Sequence, residues 1–471
     1  MKYYFTTFLS KIFLTALAIC GAYAGQSQSI NSTYSRFGLG VLPAQAGARS
    51  LGMGGFQAAL TDASAINAFN PASYSFLENT LLQFTGEAHL MQASTDTESL
   101  KYKNGLISEM SMALRKPGKP LGIAFGLHPY SRVGYTVSNY QAVNDSVNVN
   151  YTYTGKGGLN EAFVGASYLF TLWQTKISVD VTGKADTVRM PHNLSIGVNM
   201  NYLFGSTTHT AVADIEQLNY YNSRLTKTTF MSSRIVKGNP WQVGIIYVMP
   251  LQIKQVAKKT IASKYLNVGL TYQMGQDLRG TLSATADSYF YETDPADTSV
   301  TITGAKINVI IPQSFTAGLG FKSFHHKRGI WQIGAQATIQ NWSQYSIRDE
   351  AGTSLDAQLT DALGVNIGID YKPISDGGDN LLHRMSYRAG AAWQQTHLTL
   401  NKEHIMRKSV SAGLSIPLLK SESRMHVAVE NSSLGTTLNG LVLERQTTIW
   451  LGFTLAPLRG KERWFHTYQY D

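Results

Sequence analysis

The stretch IWQIGAQATIQ, residues 330–340, decides the fold class. Trp331, Ile333, Ala335, Ala337 and Ile339 fall on one face, and Gln332, Gly334, Gln336, Thr338 and Gln340 on the other. A period of two marks a strand with unlike faces. The alternation recurs in both directions along the chain. Met385, Tyr387, Ala389, Ala391 and Trp393 oppose Arg384, Ser386, Arg388, Gly390 and Gln394. Val410, Ala412 and Leu414 oppose Ser409, Ser411, Gly413 and Ser415, while Leu194, Ile196, Val198 and Met200 oppose Ser195, Gly197 and Asn199. Each run has the length, about ten residues, that a tilted strand needs to cross a membrane.

Fourteen such segments are expected, near 80–93, 105–115, 121–131, 160–172, 192–204, 240–250, 264–275, 311–322, 330–342, 362–372, 384–396, 407–417, 424–431 and 446–456. Long connections at 132–159, 205–239, 276–310, 343–361 and 432–445 alternate with short ones such as 116–120, 323–329 and 418–423. Outer-membrane barrels have this habit, with short periplasmic turns and longer external loops. The connection 173–191 is longer than its side predicts, and 219–233 and 279–291 could be strands too, which would make sixteen. A soluble sandwich also alternates. Against it, the polar faces carry Ser, Thr, Asn, Gln and Gly rather than Lys and Glu, and Trp173, Trp241, Trp331, Trp342 and Trp393 gather near strand ends. Such aromatics form the girdles at a membrane interface. The expected fold class is all-β, a transmembrane antiparallel β-barrel.

The ends of the chain agree. Lys2 and Lys11, the apolar run 12–20 and Gly21-Ala22-Tyr23-Ala24 lay out a secretory signal with cleavage after Ala24. A rival reading makes Leu17-Ala18-Ile19-Cys20 a lipoprotein box, although Ile19 stands where a small residue is expected. Cys20 is the one cysteine, so the mature chain has no disulfide and no thiolate metal site. The formal charge of +10 falls to +8 once Lys2 and Lys11 leave with the signal. The basic residues are scattered, not striped, and nucleic acid is not an expected partner. Charged residues are only 15% of the chain, against 42 glycines and 25 tyrosines.

Fourteen strands enclose more room than wall side chains fill, since about eight already make a packed interior. Residues 25–79, ahead of the first strand, are the expected filling. Within them the stretch 47–74, GARSLGMGGFQAALTDASAINAFNPASY, is rich in small residues suited to close packing. Asp62 could cap a short helix through Ser64 and Ala65. Pro71 bars helix continuation and extends Asn70. Asn70 could latch this segment to strand backbone or simply form a turn.

Gly47-Ala48, Gly52, Gly54-Gly55, Asp62-Ala63-Ser64 and Asn70-Pro71-Ala72, in that order, resemble the N-terminal signature of the FadL family. Tyr34-Ser35-Arg36-Phe37-Gly38-Leu39-Gly40 and Arg463-Trp464-Phe465 are similar to the Bacteroidetes branch of these barrels. The resemblance implies fourteen strands, an N-terminal hatch, and inward movement of hydrophobic molecules such as long-chain fatty acids, with lateral exit through the wall. The family's pocket residues lie where no motif matches, so none is carried over. Phe69, Tyr74 and Phe76 could line a ligand path or anchor the wall. Arg384 and Arg388 could meet a carboxylate head group or be solvated lumen charge.

The expected layout is a signal peptide over 1–24, a hatch over 25–79, the barrel over 80–457 and a periplasmic extension over 458–471. There is no G-x-S-x-G elbow, H-E-x-x-H or phosphate loop, and neighbouring His325 and His326 point to opposite faces of a turn. Neither a cofactor nor a metal nor an enzymatic activity is expected. The expected function is an outer-membrane channel for a hydrophobic small molecule or lipid. The alternative is a barrel that serves as scaffold or accessory subunit of an outer-membrane secretion or assembly complex. Its mark would be a rigid platform built from 132–159, 205–239 and 276–310 in place of mobile caps over an apolar pocket.

Overall fold

A computed structural model of the chain describes residues 31–456, except 145–146, 182–183, 218–226, 257–258, 290–297, 356–358, 374–380 and 419–422. The expected signal peptide, Cys20 and the extension 458–471 lie outside the described residues.

Eighteen strands run in chain order: β1 (Leu81–Ser94), β2 (Ser99–Arg115), β3 (Leu121–Asn144), β4 (Val147–Val181), β5 (Lys184–Gln217), β6 (Lys227–Gly238), β7 (Trp241–Val256), β8 (Lys259–Gln273) and β9 (Gln276–Tyr289). Then follow β10 (Thr298–Ile311), β11 (Ser314–His325), β12 (Gly329–Gln340), β13 (Ser346–Asp349), β14 (Ala362–Lys372), β15 (Ser386–Leu400), β16 (Glu403–Pro417), β17 (Arg424–Leu434) and β18 (Leu443–Leu455). Fourteen of them, all but β6, β9, β10 and β13, close a ring of antiparallel pairs. The seam is β1 on β18, from Leu82 opposite Leu455 to Ser94 opposite Leu443. Closure leaves the ring without a free edge, as lipid requires.

The two faces are inverted relative to a soluble sheet. On β12, Trp331 (40%), Ile333 (46%) and Ile339 (49%) are exposed while Gln332 and Gln336 are buried. On β16, Val410 and Leu414 are exposed while Ser409, Ser411 and Ser415 are buried. Apolar residues outside and amides and hydroxyls inside is the pattern of a barrel in lipid. None of the described helices is long and apolar enough to cross a membrane.

All fourteen expected segments are wall strands, but the sixteen-strand alternative fails. Residues near 219–233 and 279–291 do contribute β6 and β9, yet these pair outside the ring. β6 lies on the outer half of β5, β9 on β6, β10 on β9 and β13 on β10. Each continues a wall strand past a short break, at Asn239–Pro240, Met274–Gly275, Pro312–Gln313 and 341–345. Proline has no amide proton for a ladder, so Pro240 and Pro312 suit a bend. The break is still stitched, with amide bonds Asn201 to Pro240 (3.0 Å), Met274 to Trp241 (2.9 Å) and Asn341 to Gln313 (3.2 Å).

The long connections 132–159, 205–239 and 276–310 are therefore largely strand, forming an outer tier with the upper halves of β3, β4 and β5. Sequences such as VNVNYTYT, residues 147–154, have the β-branched and aromatic content for it. A reading scaled to membrane thickness stops too soon. The 173–191 connection is likewise the continued β4–β5 hairpin. The start of β1, the end of β18 and the connections at 116–120 and 326–328 lie at the end opposite this tier. That end is periplasmic by the barrel habit, which puts the tier outside the cell.

Candidate functional site: the filled lumen

Residues 32–79 run down the inside of the ring. At the outer end a 3-10 turn, Thr33–Arg36, rests on β3 and β18, with Ser32 N donating to Gly134 O (2.8 Å) and Thr33 N to Glu444 (2.7 Å). Mid-lumen comes the one-turn helix α1 (Ala48–Leu51), and at the periplasmic rim a 3-10 helix, Pro71–Phe76. There Arg115 donates to the carbonyls of Leu77 and Ser75 (both 2.8 Å).

The wall is cut to receive this segment. Inward-facing Gly122, Gly197, Gly244, Gly269, Gly318, Gly334, Gly368, Gly390, Gly413 and Gly452 sit on ten different strands. A Cβ on any of them would press into residues 48–74: Gly390 against Gly54 and Met53, Gly197 against Pro71, Gly269 against Ala58. Gly52 and Gly54 answer from the other side, closing on Gly413 and Ala391, and Gly54 and Gly55 have positive φ. Met53, Phe56, Ala58 and Ala59 are fully buried as a result.

Wall amides and hydroxyls satisfy the backbone so enclosed. Gln336 Oε1 accepts from the Gln57 and Ala58 amides (2.8 and 2.9 Å), and Asn366 donates to Gly54 O (2.6 Å). Gln242 donates to Phe69 O (2.7 Å) and Ser195 to Ala72 O (2.7 Å). Buried backbone groups must find partners, and neutral amides supply them at no cost in buried charge. This explains why the polar faces lack Lys and Glu.

Charge is confined to clusters. Arg49 pairs with Asp62 and, at 3.0 Å, with Asp370, which also accepts from Arg388 Nε (3.1 Å). Arg388 reaches on to Ser415, and Ser415 to His426. Burial pushes the Asp62 carboxyl up, but Arg49, the Ser64 amide, Arg388 and Lys322 outweigh it and hold the group well below the usual carboxylate range.

The motif residues come together here. Asp62 accepts from the Ser64 amide and hydroxyl (2.9 and 3.0 Å), an Asx turn where a helix was expected; its charge is spent on Arg49. Asn70 is extended as expected and no helix runs into Pro71, which instead opens a 3-10 helix at the first position, where proline is welcome. Asn70 both caps that helix, accepting from Ala72 N (3.1 Å), and donates to Ala58 O (2.5 Å), so turn and tie are one residue. Tyr74 is fully buried with its hydroxyl on Asn199 (2.9 Å). Phe69 borders a cavity, Arg388 is buried in the ion cluster, and Arg384 ends a short periplasmic helix away from it.

Two inner cavities, of about 130 and 170 Å³, lie on either side of residues 42–45. Glu87, His89, His128, Arg132, Arg407, Glu430 and Glu444 line the first, while Gln273, Gln336, Gln340, Asn366 and Gln394 line the second. Leu42, Met91, Leu398 and Trp450 share the lining of the first. Tyr34 and Leu39 pack with Tyr130, Leu203, Leu278, Ile307, Trp342, Leu398 and Ile405 beneath the outer tier. Burial, with the nearby Glu444 carboxylate, pushes the Tyr34 phenol up to about 12. Tyr34 and Leu39 belong to the YSRFGLG stretch, which lies within the residues expected to fill the barrel.

The BamG family model matches residues 9–471. The chain belongs to the BamG family. No curated sequence matches it. Among solved structures, the Ralstonia pickettii toluene transporter TbuX is 14% identical, with a TM-score of 0.52 over 87% of this chain and 98% of that one. The P. putida toluene transporter TodX is 15% identical, with a TM-score of 0.50 over 90% and 99%. A Pseudomonas aeruginosa FadL homologue, 12% identical over 87% and 98%, gives 0.48. This BamG chain therefore has a FadL-like outer-membrane barrel fold.

Proposed function

We propose that this BamG chain is a plugged barrel acting as an accessory subunit of an outer-membrane protein assembly complex, presenting its outer tier to a protein partner. The observation that carries the reading is the pairing of a filled apolar interior with an ordered outer sheet. Tyr34 and Leu39 take up apolar space beneath the tier, and charged and amide side chains stand among the apolar ones that line the two cavities. The connections that would be mobile caps in a channel are paired strands. The BamG family match supports the reading. Residues 25–79 act as a permanent fitting in this view, held by Gly52, Gly54, Gly55, Asp62 and Asn70.

Native mass spectrometry of the detergent-extracted full chain tests this. A stoichiometric protein partner without bound lipid is expected; copurified lipid and no protein would overturn it.

A second reading, transport of a hydrophobic compound, is favoured by the fold shared with two toluene transporters. It requires residues 31–46 to withdraw, and Phe69 would then be the expected ligand contact. Saturable uptake of a labelled fatty acid or toluene into proteoliposomes would support it, and uptake no faster than in empty liposomes would dismiss it.

A further inference from the structure

β13 covers only Ile307–Ile310 of β10. Beyond that, among the described residues, nothing pairs with the outward edge of β10 toward Thr298, and residues 299–304 are all exposed. An uncovered strand edge is a row of amide and carbonyl groups ready for another strand. The inner face beside this edge is apolar. Cross-strand partners Val137, Tyr153, Ala211, Phe230, Ala286 and Val300 form one row, and Ile302 stands in the next. Phe230 (49%), Val300 (60%) and Ile302 (49%) are exposed, although the face looks inward over the lumen.

The charge on that face has one sign. Arg36 lies over the Tyr153 ring at 5.1 Å, and Arg234 stands opposite Thr207 and Leu282. In the tier the described inner-face residues of β3 to β6, β9 and β10 include no carboxylate. Asp349, at the outer end of β13 opposite Ile307, accepts the Thr353 amide.

We propose that the free edge of β10 is a β-augmentation site for an extended polypeptide segment of the partner, with apolar side chains and at least one carboxylate on its inward face. The edge supplies main-chain bonds, the Phe230–Val300–Ile302 strip takes alternate side chains, and Arg36 selects for acid. This rests on the partner-binding reading above and names the surface that serves it.

The probe is a short fluorescent peptide with threonine on one face and valine–aspartate–valine on the other, titrated by anisotropy into the full chain in detergent. Replacing aspartate by lysine should weaken binding roughly tenfold or more, and a central proline should abolish it. Ile302→Lys should abolish it too, and Met231→Lys, on the outer face, should leave it unchanged. Equal binding of the three peptides, or none of the acidic one, overturns the proposal. Native mass spectrometry of the same preparations separates the two ideas. A partner that stays on Ile302→Lys sinks the edge alone, and a wild-type chain with no protein partner sinks the assembly reading.

Discussion

The waist of the barrel and its outer tier are built from the same strands by opposite means. At the waist, glycines on ten strands let two backbones come together, and neutral amides such as Gln336 and Asn366 bond the plug backbone. In the tier, side chains are large, the inner face is apolar and exposed, and one strand edge is bare. Contact through backbone has little room to adjust, because a shift at one glycine meets main chain, not a mobile side chain. The waist is made to hold still and the tier to meet something else.

Variants can break that contrast from either side. The largest effect is expected from deleting residues 25–79 while keeping the signal. Small polar solutes should leak from liposomes carrying the shortened chain, and unchanged leakage would mean these residues do not block the lumen. Next, Arg49→Met leaves Asp62 and Asp370 short of a cation and should cost about 3–5 kcal/mol, read as a lower urea midpoint for loss of the heat-modifiable barrel band. The Asp62 carboxyl is held low in the folded state, so its stabilisation is complete above the ordinary carboxylate pKa of about 4 and fades as pH falls below it. Asp62→Asn should remove that part of the acid sensitivity, and an unaltered stability–pH profile would deny the carboxylate this role.

Gly390→Val drives a side chain into Gly54 and Met53 and should cost about 1–3 kcal/mol, whereas Gly86→Ala, whose Cβ would meet only the Leu106 carbonyl at an ordinary 3.7 Å, should be close to neutral. Equal melting of both would mean that the glycines are not matched to the plug. The smallest effect is Asn70→Ala, about 1 kcal/mol, appearing as faster hydrogen exchange at Ala72 and Ser73. None of the waist substitutions at Arg49, Asp62, Gly390, Gly86 or Asn70 should alter peptide binding at the tier while the barrel remains folded.

Much of the wall was legible because lipid imposes a hard rule on it: apolar out, polar in, at a period of two. IWQIGAQATIQ obeys that rule residue by residue, and all fourteen wall strands follow from it. The tier was not legible, because outside the membrane a strand answers to its neighbours. β10 and β13 look like ordinary polar loops until β9 is placed beside them. The motif from Gly52 to Ala72 was found as a pattern, yet its partners could not be. Gly390, Gly197 and Gly269 read as routine small residues on polar faces, since nothing local announces that another backbone lies against them. Asp62 misled for a similar reason, because its natural local role as a cap gave way to Arg49 and a distant ion pair on β14 and β15.

The seam between β1 and β18 joins the segment directly after residues 32–79 to the last strand of the wall. A sealed ring whose waist glycines lie against the plug backbone offers no route for threading a chain in afterwards. The luminal residues therefore act as a mandrel: they must be laid down first, and the wall must be wound around them before the seam zips. In a refolding time course, protease protection of residues 32–79 should precede the compact gel form. Protection that comes only afterwards would reverse the order.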